Sequence, residues 1–257
     1  MFQGIDSATM TRKTTPIAAI LPTYNEAHHI HAVLDVLREV DTLSEIIVVD
    51  VGSSDDTAEL ARQAAALDPR LQVIQHNKNR GKGQAIFTGW RATQAACLLL
   101  LDADLVNLTP QHVDALIAPV ITRRADMTLG LFRGGRIHTD FAHWAAPWLT
   151  GQRCLRAEIL RHVSEQAASG YGFEVALTLA AQRRGYRLRI IPLGGVWHPP
   201  SEFHRGWLKG IPWRLKMYGQ ILRAFWITSG WSERRQGWPT TLKKISLTKV
   251  TDSHAEG

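Results

Sequence analysis

The sequence contains little cysteine and no long hydrophobic run. Its two cysteines, Cys97 and Cys154, have the spacing of neither a metal site nor a redox pair, so we expect reduced thiols in a cytoplasmic protein. The longest apolar runs, before Asp50 and before Asp102, fall well short of the roughly 18–20 residues that a transmembrane helix needs. The first residues lack a positively charged, apolar leader, which predicts no secretory signal. We therefore expect neither a disulfide scaffold nor a membrane-spanning protein.

Negative charge is scarce toward the C-terminus. Acidic and basic residues are equal in number over residues 1–202, whereas residues 203–250 carry ten Lys or Arg against one Glu. The same region holds five of the nine tryptophans, and this composition is typical of segments that bind the interface of an anionic bilayer. Alternatively, a basic helix within residues 203–235 packs its apolar stripe on the rest of the protein, which we favour. No motif indicates nucleic acid as a partner.

Short apolar runs alternate with amphipathic stretches along the first half of the chain. This pattern is typical of a mostly parallel α/β sheet with helices on both faces. The second half continues less regularly. The predicted strands are 17–21, 45–50, 71–75, 97–104, 125–132 and 186–192, and the predicted helices lie near 30–37, 57–67, 83–95, 110–122 and 173–185.

Polar residues interrupt this pattern where three of the predicted strands end. Thr23-Tyr24-Asn25-Glu26 follows the first strand, Asp50 ends the second, and Asp102 and Asp104 end the fourth. Ligands of parallel α/β sheets bind at the carboxyl ends of the strands. These residues therefore predict one binding site. Within it, Asp50 is suited to accept hydrogen bonds from a base or ribose, while Asp55 or Asp56 caps the following helix.

The Asp-Ala-Asp sequence at 102–104 is a candidate metal site. Two carboxylates at this spacing face one side of a strand, and hard oxygen ligands suit Mg²⁺ or Mn²⁺, which would itself bind a diphosphate. His198, held between glycines and prolines, could complete the ligand set. The alternative is that Asp104 or Asn107 caps a turn before Pro110.

The Asn-Arg-Gly-Lys-Gly sequence at 79–83 precedes a predicted helix. Its glycines allow close approach of the backbone to a ligand, and the helix N-terminus and Lys82 both favour an anion. The pattern is not a Walker A loop, since His76 stands where the first glycine should be. A tight turn with a solvated lysine is the competing interpretation. Glu174 likewise either stabilises its own helix N-terminus or contacts a sugar.

Together, PTYNE (22–26), VVDVGSSDDT (48–57), NRGKG (79–83) and DAD (102–104) resemble the nucleotide-sugar half of GT-A glycosyltransferases similar to family 2. The resemblance implies a Rossmann-like GT-A fold and a metal ion bound by Asp104, with or without Asp102. It also implies that the nucleotide sugar is bound by Pro22, Thr23, Tyr24, Asn25, Glu26, Asp50, Ser53, Gly81, Lys82, Asp102 and Ala103.

The motifs GGRIHT, GQRCLRAEIL and GYGFEVAL, with the later His198, resemble the retaining glucosyl-3-phosphoglycerate synthases and their relatives. The resemblance implies that His198 joins Asp102 and Asp104 as a metal ligand. We expect Glu174, Asp104 and Lys82 to act in catalysis. The residues it implies for the acceptor are Gly135, Arg136, Thr139, Tyr171 and Gly172. GGRIHT departs from the family pattern by one extra residue between its Arg and its Thr.

These resemblances imply a catalytic domain over 16–202, with a nucleotide-sugar half (16–108) and an acceptor half (109–202). Residues 1–15 and 236–257 are expected to be flexible. The implied activity is metal-dependent transfer of a hexose, with retention, from a UDP- or GDP-sugar to a small phosphorylated or lipid-linked acceptor.

Two alternative functions and the oligomeric state stay open. Polyprenyl-phosphate or glycolipid sugar transferases share the N-terminal motifs but invert, and many of them work at the membrane face, here the inner face. In that case Glu174 would act as the base, whereas in a retaining enzyme it positions a hydroxyl group. The other alternative is a non-catalytic nucleotide-sugar-binding protein with the same fold. A homodimer is one expectation for the oligomeric state.

Overall fold

Apolar runs form the strands of a seven-stranded sheet in the computed structural model, which describes residues 15–133, 150–166 and 172–199. The strand order is β3-β2-β1-β4-β6-β5-β7. β6 runs antiparallel to both of its neighbours, and every other adjacent pair is parallel. The strands are β1 (Ile17–Thr23), β2 (Glu45–Asp50), β3 (Leu71–Gln75), β4 (Cys97–Leu100), β5 (Met127–Arg133), β6 (Arg153–Arg156) and β7 (Leu188–Gly194).

Helices cover both faces of this sheet. Because successive side chains of a strand point to opposite faces, Ile17 and Leu21 of β1 join one hydrophobic cluster and Ala18 and Ile20 join another. The first cluster is completed by α1 (Ile30–Arg38), α2 (Thr57–Ala65) and α4 (Pro110–Ile121), and the second by α3 (Lys82–Arg91), a 3-10 helix (Ala157–His162) and α5 (Phe173–Arg183). The predicted α/β fold is confirmed.

The register of the strands brings the ends of β1, β2 and β4 to one edge. Thr23 pairs with Asp50, and Ile20 pairs with Leu100. Leu100 also pairs with Arg153, the first residue of the antiparallel strand β6. The chain just before β6 therefore arrives at the edge where the other three strands end.

The prediction that the fourth strand runs to residue 104 is wrong, because β4 ends at Leu100. Its pairing with β6 ends at Leu100, opposite Arg153, and beyond it the Leu101 amide donates to the Ile20 carbonyl (3.3 Å) while β1 continues to Thr23. Burial still alternates, with Leu101 and Ala103 buried and the two aspartates half-buried. Asp102 and Asp104 thus face one side although they lie in a loop.

Several predicted segments lie outside the described residues: the N-terminus up to residue 14, the basic helix at 203–235 and the tail at 236–257. Among the helices that are described, none combines the length and apolar character needed to cross a bilayer.

Candidate active site

The loops after β1 and β2 are joined through side chains. Asn25 adopts a left-handed backbone conformation (φ 57°), and its Oδ1 accepts a hydrogen bond from the Ser54 amide at 2.8 Å. In return, the Asn25 amide donates to Ser53 Oγ (2.9 Å) and the Glu26 amide donates to Thr57 Oγ1 (2.8 Å). These contacts hold the two loops together at the carboxyl edge of the sheet.

Asp50 is fully buried at the end of β2, and its carboxylate organises its own loop. Its Oδ2 accepts hydrogen bonds from the amides of Gly52 (3.3 Å) and Ser53 (3.2 Å), and the Ser53 hydroxyl donates to Oδ1. Gly52 has a φ of 84°, which favours glycine. The predicted contact of Asp50 with a nucleoside is therefore accompanied by a structural role.

The predicted cap of α2 is supplied by Asp55 rather than Asp56. Asp55 Oδ1 accepts a hydrogen bond from the Thr57 amide (3.1 Å), while Oδ2 accepts one from the Ala27 amide (3.2 Å). Asp56 occupies the N-cap position without a side-chain hydrogen bond to the helix. Asp55 thus links α2 to the loop after β1.

Lys82 joins the two predicted acidic segments. It is the first residue of α3 and follows Gly81, whose φ is 85°. The Lys82 ammonium lies 2.6 Å from Asp102 Oδ1 and 3.0 Å from Glu174 Oε1. Burial lowers the pKa of Lys82, but the carboxylates of Asp102 and Glu174 outweigh it and hold that pKa above its ordinary value. The lysine is therefore a permanent cation between two carboxylates.

The segment before β6 supplies two contacts that sequence reasoning did not find. Gln152 Nε2 donates to the second oxygen of Asp102 at 3.0 Å. Gly151 passes so close that a Cβ there would lie 2.5 Å from both Asp102 Oδ2 and Lys82 Nζ. The motif GQRCLRAEIL contains both residues, but nothing in it indicates that β6 inserts next to β4.

A buried arginine is linked to the backbone of Glu174 through a threonine hydroxyl. Arg153 is fully buried and donates from Nε to the Thr150 carbonyl and from Nη1 to Thr178 Oγ1, each at 2.8 Å. The Thr178 hydroxyl donates to the backbone carbonyl of Glu174 (2.8 Å). Burial lowers the pKa of Arg153 to about 10 and Glu174 opposes this, so Arg153 stays charged at neutral pH.

The surroundings of Asp104 disfavour its charged form. Burial, followed by repulsion from Asp102, raises its pKa above the ordinary value, while His198 and Lys82 oppose the shift. Glu26 shows the same effect more strongly: burial raises its pKa to about 7, with further contributions from Asp104, Asp102 and Asp55. The edge of the sheet thus concentrates negative charge that a cation would relieve.

The loop that carries His198 is attached to the loop of Asp104. Val106 and Trp197 exchange two backbone hydrogen bonds (2.8 and 3.2 Å), and Asn107 Nδ2 donates to the Gly195 carbonyl (3.2 Å). The His198 ring packs edge-on against Phe132, with centroids 5.6 Å apart. His198 is therefore on the same side of the sheet edge as Asp104.

The donor types of this edge, carboxylate oxygens and an imidazole, fit Mg²⁺ or Mn²⁺. Within the described ranges, no three His, Cys, Asp or Glu side chains are grouped closely enough to hold a metal ion. Asp102 instead uses its oxygens for Lys82 and Gln152. The ligand set of Asp102, Asp104 and His198 stays a prediction.

Other predicted site residues differ in exposure. Pro22 is half-buried, Tyr24 is 40 % exposed, and Ala103 is buried. Thr23 is buried, and its hydroxyl has no hydrogen-bond partner in the part of the chain that the structure describes. Gly172 is the N-cap residue of α5, whereas four predicted acceptor residues lie outside the described ranges: Gly135, Arg136, Thr139 and Tyr171.

Comparison with known proteins places these observations in a family. Residues 18–182 match the family described as Glycosyl transferase family 2. The chain is 30 % identical over 202 residues to undecaprenyl-phosphate mannosyltransferase from Micrococcus luteus. That alignment covers 69 % of this chain and 82 % of the relative. It is 33 % identical over 196 residues to glucosyl-3-phosphoglycerate synthase from Mycobacterium tuberculosis, covering 63 % of this chain and 60 % of that enzyme.

Solved structures of the Mycobacterium tuberculosis synthase share the fold. Its complex with Mn²⁺, UDP and phosphoglyceric acid superposes with a TM-score of 0.67 and 25 % identity, covering 84 % of this chain and 79 % of that one. Its complex with Mg²⁺ and UDP gives a TM-score of 0.67 and 25 % identity, covering 84 % and 80 %.

Proposed function

Because this chain belongs to glycosyl transferase family 2, we propose that it transfers a hexose from a UDP- or GDP-sugar to a phosphate-bearing acceptor, with retention and with the aid of a divalent metal ion. That the chain is a glycosyltransferase follows from the family. The proposal of donor, metal and retention rests on one observation, the cluster of Lys82, Asp102 and Glu174 at the carboxyl edge of the sheet. Asp104, whose pKa is raised, lies beside this cluster.

The donor is assigned to the loops after β1 and β2 and to the start of α3. Residues 22–26, Asp50 and Ser53 would line the nucleoside. Gly81 and Lys82 would face the diphosphate, because the first turn of a helix and an ammonium group both attract anions. Lys82 contacts the carboxylates of Asp102 and Glu174, and it would release both of them for that role.

Asp104, Asp102 and His198 are the residues that would hold Mg²⁺ or Mn²⁺. Bound there, the ion would supply Lewis-acid stabilisation of the charge that develops on the leaving diphosphate. The support is the pKa of Asp104, which burial and Asp102 raise, and the Mn²⁺ or Mg²⁺ with UDP in the Mycobacterium tuberculosis synthase complexes.

Glu174 is assigned to positioning rather than to proton abstraction. Its carboxylate is paired with the Lys82 ammonium at 3.0 Å, a contact that places it at the proposed sugar site without requiring it to take up a proton. An inverting enzyme needs a base for the acceptor, whereas a retaining enzyme does not need a strong one. The resemblance to the retaining synthases supports retention, and Glu174, once released by Lys82, would orient a hydroxyl group.

The acceptor has two candidate sources that share one chemistry, a phosphate group. The Mycobacterium tuberculosis synthase was crystallised with phosphoglyceric acid, and the Micrococcus luteus relative is named for undecaprenyl phosphate. The second candidate function is thus an inverting polyprenyl-phosphate transferase at the inner face of the membrane. It is favoured by the 82 % of that relative that this chain covers and by the basic, Trp-rich residues 203–235.

The first experiment identifies the donor by thermal shift, because a ligand stabilises a protein in proportion to its binding. UDP-glucose and GDP-mannose are compared with and without Mn²⁺, and a metal-dependent rise with one of them is expected. Transfer to 3-phosphoglycerate or to undecaprenyl phosphate is then measured, and the anomeric configuration of the product is read by NMR.

The outcomes separate the candidate functions. An α-linked product from an α-linked donor supports retention, while a β-linked lipid product establishes the inverting alternative. Donor binding without release of nucleotide with either acceptor would favour the non-catalytic sugar-nucleotide-binding protein. Absence of co-sedimentation with anionic liposomes at low salt would exclude membrane contact by residues 203–235, and light scattering reports whether the chain forms a homodimer.

A further inference from the structure

Gln152 lies beside the proposed sugar site with its backbone fixed. It is 1 % exposed and immediately precedes β6. Its carbonyl accepts a hydrogen bond from the Gly130 amide (2.8 Å), and its amide donates to Thr150 Oγ1 (3.3 Å). A Cβ at Gly130 would lie 3.1 Å from the Gln152 Cβ, so β5 and the segment before β6 approach closely because Gly130 has no side chain. Gln152 therefore presents its amide group from a rigid position.

The orientation of that amide group follows from its partner. Asp102 Oδ2, 3.0 Å from Gln152 Nε2, can only accept hydrogen bonds when it is ionised. Rotation of the amide by 180° would place the carbonyl oxygen against the carboxylate, which is repulsive. The carbonyl oxygen Oε1 consequently points away from Asp102.

Oε1 has no donor in this arrangement. Over residues 15–133, 150–166 and 172–199, no hydrogen-bond donor serves this buried oxygen. Buried acceptors are almost always paired, so an unpaired one beside a substrate site indicates a ligand that supplies the donor. The nearest cation on the same carboxylate, Lys82, is already bound to Asp102 and Glu174.

The chemistry of the donor molecule narrows what that ligand group is. A diphosphate offers only acceptors at neutral pH, and the nucleoside is assigned to the loops after β1 and β2. The hexose carries hydroxyl groups, each of which can donate. The Lys82 ammonium binds the other oxygen of Asp102, and the lysine side chain is flexible. Its movement toward the diphosphate would give the sugar access to Asp102 and Gln152.

We propose that Gln152 is a specificity-determining residue whose Oε1 accepts a hydrogen bond from one hydroxyl group of the transferred hexose. This inference rests on the proposed function. A site built to pair with a substrate hydroxyl rejects analogues that lack it, because its own polar group is then left unpaired. Gln152 therefore sets which hexose is accepted, in addition to holding Asp102.

The test compares the full-length wild type with Gln152→Met, which keeps the length and removes the acceptor. Gln63→Met, on the exposed face of α2, is the matched control. Each protein is assayed for kcat/KM with the donor identified by thermal shift and with its set of monodeoxy hexose analogues. In the wild type, one deoxy position should lower kcat/KM by about 10- to 100-fold, because a buried neutral acceptor is then left unpaired. In Gln152→Met the intact donor should lose a comparable factor, and that one analogue should cause no further loss.

Several results would overturn the inference. One is a wild type with no deoxy position that costs tenfold or more, a measurement that does not depend on any variant folding. Another is an unchanged penalty profile in Gln152→Met, or an equal loss for every analogue. A shift in apparent Mn²⁺ affinity with the profile intact would assign Oε1 to the metal instead. Failure of the wild type to bind any sugar nucleotide would reject the proposed function itself, which the thermal shift reveals beforehand.

Discussion

The ammonium nitrogen of Lys82 lies 2.6 Å from Oδ1 of Asp102. This pair connects the start of α3 with the loop after β4, which are separate along the chain but adjacent at the sheet edge. The same nitrogen also reaches Glu174 on α5. One lysine thereby holds together the segments expected to bind the diphosphate, the metal ion and the acceptor.

Replacing Lys82 by Met should lower turnover by about 100-fold, because the variant cannot stabilise the leaving diphosphate and leaves Asp102 and Glu174 to repel each other. Steady-state assays with the identified donor measure this. Lys78→Met, which removes an exposed lysine from the loop before α3, is the control and should retain activity. Equal activity of both variants would contradict the role given to Lys82.

Gly151→Ala should weaken donor binding at least about tenfold, since its Cβ would lie 2.5 Å from both Asp102 Oδ2 and Lys82 Nζ and would push the pair apart. Gly194→Ala introduces the same methyl group where no atom of the described residues lies within 4 Å, so it should bind donor like the wild type. Calorimetric titration of each variant with donor measures the difference. A tight-binding Gly151→Ala protein would show that the close approach has no part in donor binding.

Removal of divalent metal with EDTA should abolish turnover, and Mn²⁺ or Mg²⁺ should restore it. Asp104→Asn should lose the metal-dependent thermal shift yet melt no lower than the wild type without ligand, because its side chain no longer holds a charge beside Asp102. Scanning calorimetry with and without Mn²⁺ tests both parts. Full turnover after chelation, or in Asp104→Asn, would be incompatible with metal assistance at this residue.

Asp126→Asn should destabilise the protein at neutral pH by about 1 kcal/mol, allowing for solvent screening of the pair. Asp126 is buried and accepts hydrogen bonds from the Arg187 amide (2.9 Å) and Nε (3.0 Å), and from Arg156 (3.4 Å). The Arg187 side-chain hydrogen bonds are the largest cause that lowers the pKa of Asp126, and burial opposes them.

A depressed folded-state pKa contributes stability that is present above the unfolded pKa of about 3.9 and is lost as pH falls through the folded value. The free energies of unfolding of the wild type and Asp126→Asn, measured with denaturant, should therefore differ at pH 7. They should converge once the pH falls below the folded-state pKa of Asp126. The exposed Asp114→Asn is the control and should show little difference at either pH. A gap that persists unchanged into acid would mean that the charge of Asp126 is not what stabilises this site.

Part of the site was predictable from local sequence. The strands before Asp50 and Asp102 are continuous apolar runs. Such strands end at the edge of the sheet, where polar side chains can reach solvent or a ligand. Asp55 was predictable as a helix cap because its spacing from Thr57 allows a local hydrogen bond. The end of β4 was not, because it coincides with the end of its pairing to β6, a strand distant along the chain.

The sequence by itself determined the α/β class, the edge at which the polar residues gather and the charge they bring, because these follow from periodicity and residue type along the chain. Only the tertiary structure decided that β6 inserts in reverse beside β4, and hence that Gly151 and Gln152 enclose Asp102. Contacts of that kind arise from strand order, which joins residues far apart in sequence. No local pattern encodes which strand becomes the neighbour.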